Sequence, residues 1–102
     1  MAEESPNNVT PEILAKLRTV AESGDAEAQF RLGVLYGNGE GVELDREQAM
    51  AWFKQSARQG HEDALITMAW MYANGSGVDT DETKARELYL LAADHGSVKA
   101  MY

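Results

Sequence analysis

The stretch Leu32-Gly33-Val34-Leu35-Tyr36-Gly37-Asn38-Gly39-Glu40-Gly41-Val42 is followed by Asp45. Thirty-six residues later it returns as Met68-Ala69-Trp70-Met71-Tyr72-Ala73-Asn74-Gly75-Ser76-Gly77-Val78, with Asp81 in the same relative place. A fixed period of that length constrains the fold more than any other feature. It marks a solenoid of stacked supersecondary units, none of which buries its apolar face alone. Laying residues 21–66 on residues 57–102 needs no gap. The identical pairs fall on small packing residues, loop glycines and helix caps, among them Ala21/Ala57, Gly24/Gly60, Ala28/Ala64, Tyr36/Tyr72, Gly39/Gly75, Gly41/Gly77, Asp45/Asp81 and Ala49/Ala85. The first apolar segment is in phase too, with Leu17 matching Phe53 and Tyr89.

Each period reads as two helices, which makes the chain all-α. Residues 1–9 are polar and are expected to form a flexible lead-in. Thr10-Pro11-Glu12 is a helix start, with a hydroxyl N-cap, proline at the first helical position and an acid in the first turn. Ile13, Leu14, Leu17, Val20 and Ala21 recur at helical spacing as one apolar stripe, and Gly24 is expected to end the helix. Residues 10–24 are then the second helix of a partial unit. Residues 25–60 form one full repeat and 61–96 another, and 97–102 begin a truncated third. In the first repeat a helix is predicted from about Asp25 to Tyr36. Gly37, Gly39 and Gly41 permit positive φ in the loop, and Val42 is expected to plug back between the helices. Asp45 caps the next helix, with Gln48 three residues on in the manner of a capping box.

Little here points to chemistry. The loop spacing Gly37-x-Gly39-x-Gly41 follows no strand and precedes no lysine, so it is a helix-to-helix turn and not a phosphate cradle. Gly75-Ser76-Gly77 lacks the flanking spacing and strand–turn–helix context of a nucleophile elbow. The chain contains no cysteine, which removes disulfides and thiolate ligands. His61 and His95, the two histidines, have no ligand-spaced partner and are expected to be exposed turn residues. Asp45 and Asp81 are explained as helix caps, and the methionines and Trp52 as core. No catalytic residue, metal site or cofactor is therefore expected.

A net charge of −8 argues against nucleic acid or an anionic membrane surface as partner, since both reward clustered Lys and Arg. The amino-terminal residues lack the basic and apolar regions of a secretory signal. No window approaches the roughly 18 apolar residues of a membrane span. A cytoplasmic location is the simplest expectation.

The pattern Ala-x-Ala-Gln-x-x-Leu-Gly-x-x-Tyr-x-x-Gly-x-Gly-Val-x-x-Asp, running from Ala26 to Asp45, resembles the Sel-1-like repeat, a relative of the tetratricopeptide repeat. The longer period, and Gly60 and Gly96 at the unit ends in place of proline, favour the Sel-1-like branch. The second unit departs from the pattern at Ala69, in place of the motif glycine, and at Leu88, where the first has Trp52. The resemblance implies a right-handed α/α superhelix of antiparallel helix pairs. It also implies an adaptor role, with the first helix of each unit lining a concave face that holds a protein or peptide. Carried over residue by residue, that face comprises Glu27, Phe30, Val34 and Asn38, then Asp63, Ile66, Trp70 and Asn74, with Lys99 and Tyr102 in the third unit. Phe30 and Ile66 read equally well as packing residues. Trp70 is the stronger surface candidate.

Two other readings stay open. Uncapped solenoid ends are expected to pair with another chain or fray, which makes a self-assembling homo-oligomer an alternative. Some cysteine-rich relatives bind or hydrolyse penicillins. That branch is a remote alternative for a chain without cysteine or a nucleophile–base arrangement.

Overall fold

The computed structural model describes residues 9–94, which form five helices: α1 (Pro11–Glu22), α2 (Ala26–Asn38), α3 (Arg46–Arg58), α4 (Glu62–Asn74) and α5 (Glu82–Asp94). No strand occurs among the described residues. The helices pack in sequence order, most extensively within the pairs α2–α3 and α4–α5, and the body measures 47 × 25 × 21 Å. The fold is an all-helical repeat solenoid. Helices this short are marginal alone, so their stability comes from the apolar faces they share. Lys99, Tyr102 and the rest of the expected third unit lie outside the described residues.

The helix starts follow local side-chain chemistry. Thr10 Oγ1 accepts from the Ile13 amide at 3.2 Å, Asp25 from Ala28 at 2.8 Å, Asp45 from Gln48 at 3.0 Å and Asp81 from Lys84 at 3.0 Å. The reciprocal half of the expected capping box is absent. The Asp45 amide donates to the Tyr36 carbonyl at 2.9 Å, and the Asp81 amide makes the same bond to Tyr72. Each loop is thus tied to the helix before it, leaving the Gln48 side chain no vacant amide to accept from.

The two loops are copies in space as well as in sequence. Gly39 (φ 69°, ψ 38°) and Gly75 (φ 68°, ψ 37°) are left-handed C-caps whose amides donate to Leu35 O and Met71 O. Gly37 corrects the sequence expectation. It lies inside α2, which runs on to Asn38, and it is not among the positive-φ glycines. A Cβ at Gly37 would stand 3.6 Å from that of Ala49, so its small size serves helix–helix approach. α1 stops at Glu22 with Ser23 as its C-cap, and Gly24 follows at φ 109°, in the place expected of a helix-ending glycine.

The core has two parts. Ala21, Ala28, Leu32 and Trp52 join α1, α2 and α3. Met50, Phe53, Leu65, Met68, Met71 and Leu88 join α3, α4 and α5, and half-buried Tyr36 adjoins both parts. Polar ties accompany them. The fully buried Ser56 donates to the Ala26 carbonyl at 2.8 Å, and buried Gln29 donates to Ala21 O at 3.0 Å. The apolar stripe expected on α1 divides: Ala21 is buried and Leu14 and Leu17 half-buried, whereas Ile13 and Val20 are exposed.

Candidate functional site

The expected face is carried by α2 and α4, whose residues one period apart occupy equivalent places. Phe30 is half-buried. Its ring lies 5.6 Å from Phe53 (39° between planes) and stacks on His61 at 5.0 Å and 26°. Val34 and Ile66 are half-buried against the core of α3, α4 and α5. These three side chains serve packing and keep part of their surface open. Trp70 is different. It is 54% exposed, although Met68, Ala69 and Met71 beside it are buried. Asn38 and Asn74 are exposed at the ends of α2 and α4, and the Asn74 amide donates to the Trp70 carbonyl at 2.9 Å. Asp63 is half-buried in the first turn of α4. The face therefore presents one large open aromatic, flanked by half-buried apolar side chains and polar helix ends.

Glu27 does not edge this face as a free carboxylate. Its Oε2 accepts from Arg31 Nε at 2.8 Å, and its Oε1 lies 2.7 Å from His61 Nε2. His61 corrects the sequence expectation of an exposed turn residue. It is the N-cap of α4, its Nδ1 accepts from the Ala64 amide at 3.2 Å, and only 14% of its side chain is exposed. Because Nδ1 accepts, Nε2 carries the proton and donates to Glu27. One imidazole thus starts α4, stacks on Phe30 and holds Glu27, clamping one unit to the next. The hydrogen bond to His61, then that to Arg31, keep the Glu27 carboxyl below its ordinary pKa, against a smaller opposing effect of burial. The cue was present in the sequence. His61 occupies the register of Asp25, so an imidazole nitrogen takes the place of the capping carboxylate.

Hollows border these helices among the described residues. One is an open depression at the second loop, lined by Tyr72, Val78, Asp79 and Asp81. Another lies along α5, lined by Ala73, Ala85, Tyr89 and Leu90. A third is a groove of about 850 Å³ between α1 and α2, lined by Ile13, Leu17, Val20, Phe30, Val34 and neighbours. Among the described residues no group of three or more His, Asp or Glu side chains could hold a metal ion, and no helix is long and apolar enough to cross a membrane.

The sequence pattern of the Sel1 repeat family matches residues 26–61 and 63–97, most of the chain. The chain belongs to the Sel1 repeat family. Solved structures agree with the assignment. A Sel1 repeat protein from Oxalobacter formigenes is 35% identical with a TM-score of 0.83, covering 87% of this chain and 36% of that one. A protective antigen present in uropathogenic Escherichia coli strains, with an SLR fold, is also 35% identical (TM-score 0.82), covering 87% of this chain and 19% of its own. The chain thus spans about a third and a fifth of those two proteins. Cysteine rich protein B of Helicobacter pylori shares the fold (TM-score 0.84) at 22% identity, covering 88% of this chain and 68% of that one. No curated protein matches significantly. Sel1 repeats generally serve as protein-interaction modules and are typically not catalysts.

Proposed function

We propose that this Sel1 module is a non-catalytic adaptor that holds a peptide segment of a protein partner on the face of α2 and α4, with Trp70 as its anchor. The observation that carries this reading is the exposure of Trp70 on a helix whose adjacent residues are buried. An exposed tryptophan keeps a large apolar surface available for a partner, and such residues supply much of the energy at interfaces. Half-buried Ile66 and Val34 extend that surface, and Asn38, Asp63 and Asn74 offer polar contacts. Lys99 and Tyr102 belong to the same proposed face by repeat register.

Trp70→Ala tests the reading, because its open side chain contributes little to the core. Phe30→Ala is a poor probe, since it also removes the stacking on His61. Partners captured from the source organism by the wild-type module are expected to be lost with Trp70→Ala, at unchanged helicity and thermal midpoint. Retention of the same partners at the same yield would end the assignment of this face.

A further inference from the structure

Two apolar side chains on α1 are bulkier than the residues at the same repeat positions. Ile13 and Val20 stand where α3 has Ala49 and Ser56 and where α5 has Ala85 and Ala92. All four counterparts are buried, since the first helix of each unit packs on its second. Among the described residues α1 has no such companion, and Ile13 and Val20 are 52% and 45% exposed. They form one wall of the groove whose other wall is Phe30 and Val34.

The groove is not a copy of the seats inside the two units. On α3 the companion helix comes close, with Ser56 Oγ 2.8 Å from the Ala26 carbonyl and space at Gly37 for only a small residue beside Ala49. Isoleucine in place of Ala49 and valine in place of Ser56 hold an incoming helix further out, and the valine removes the hydroxyl. What fits is a helix bringing its own mid-sized aliphatic side chains, at an interaxial distance of roughly 8–10 Å. α1 is such a helix. Ile13, Leu17 and Val20, at i, i+4 and i+7, form a stripe that can face itself across a two-fold axis. A two-fold axis perpendicular to α1 sets the paired helices antiparallel. Each copy then fills the other's groove, and the contact closes instead of propagating. Charge permits this at the groove, where Arg31 is paired with Glu27 of its own chain and Lys16, Asp25 and Glu40 remain, although the whole chain carries −8.

We propose that two copies of this chain associate through the α1–α2 groove, each inserting the Ile13–Leu17–Val20 stripe of its α1 into the groove of the other. The contact covers Phe30 and Val34, which the adaptor face also uses, and leaves its anchor Trp70 open. A helix of 12 residues is about 18 Å long, which places the interface at the small end of specific contacts and the dimer in the weak, concentration-dependent class.

Sedimentation velocity on the intact chain, from about 1 µM to about 500 µM, tests the proposal in the range where so small an interface would dissociate. The wild type is expected to shift from monomer to dimer and no further. Val20→Lys, at a position already exposed, is expected to weaken the dimer at least tenfold with unchanged circular dichroism. Leu91→Lys, on the exposed side of α5, is expected to leave it intact. A wild type that stays monomeric throughout overturns the proposal. So does a dimer that Leu91→Lys disrupts and Val20→Lys does not, or one that grows into open-ended assemblies. Loss of partner capture in Trp70→Ala alongside a normal dimer bears only on the adaptor face.

Discussion

At the scale of the residue, Gly33 shows how little room the first unit leaves. A Cβ there would stand 2.6 Å from Cε1 of Phe53, a ring already bounded by Phe30. Gly33→Ala gains about 1 kcal/mol of helix propensity but overpacks the site at a cost of about 1–3 kcal/mol. A net loss of about 1 kcal/mol is expected in urea unfolding. Gly39→Ala has no compensating gain. Its left-handed φ alone costs about 1–2 kcal/mol, and the new methyl group would meet Leu44 Cβ at 3.0 Å. Glu27 supplies a pH signature. Its folded pKa is depressed, so its contribution is complete above the ordinary value of 4.5 and fades as pH falls through the lower folded value. The carboxylate is more than half exposed, which keeps that contribution within roughly 0.2–1 kcal/mol. The stability difference between wild type and Glu27→Gln is therefore expected to shrink towards zero as the pH falls below 4.5.

At the scale of the element, the equivalent caps make a matched experiment. Asp45→Ala and Asp81→Ala each remove the acceptor for one amide at the start of a helix and are expected to cost about 1 kcal/mol apiece. Gln48→Ala is expected to be nearly neutral, because the amide that a capping box would occupy already donates to Tyr36 O. A loss at Gln48 equal to that at Asp45 would contradict this hydrogen-bonding scheme. The sequence pattern Asp45-x-x-Gln48 alone predicts the opposite outcome for Gln48. Caps are local enough to be legible in a sequence, whereas the partner of a backbone amide nine residues away is a tertiary matter.

At the scale of the molecule, Phe53 joins the units. It fills the space beside Gly33 of α2 and belongs to the same core as Leu65 and Met68 of α4. Phe53→Ala is expected to cost about 3–5 kcal/mol, a large share of the roughly 5–15 kcal/mol that holds a domain folded. Because each unit is supported by its neighbour, both are expected to weaken together. In a Trp70→Phe background, Trp52 fluorescence reports the first unit and far-ultraviolet circular dichroism the whole chain. The two melting curves are expected to fall together in the wild type and to shift together in Phe53→Ala. Separate transitions would show that the units fold independently.

The period in the sequence determined the architecture, because a repeat of one helix pair can bury its apolar residues only by stacking. Helix starts, the loop glycines Gly39 and Gly75 and the burial of Trp52, Met50, Met68 and Met71 were legible for the same reason: each follows from local backbone chemistry or simple periodicity. The tertiary structure decided what depends on a neighbour. It gave His61 a carboxylate and an aromatic ring from α2, made Gly37 a packing residue, and enclosed much of Phe30. It left Trp70 open while burying the residues beside it. It also divided the apolar stripe of α1, whose Ile13 and Val20 look like core in the sequence and face an open groove in space. Periodicity states which side of a helix is apolar, and only packing shows whether something lies against it.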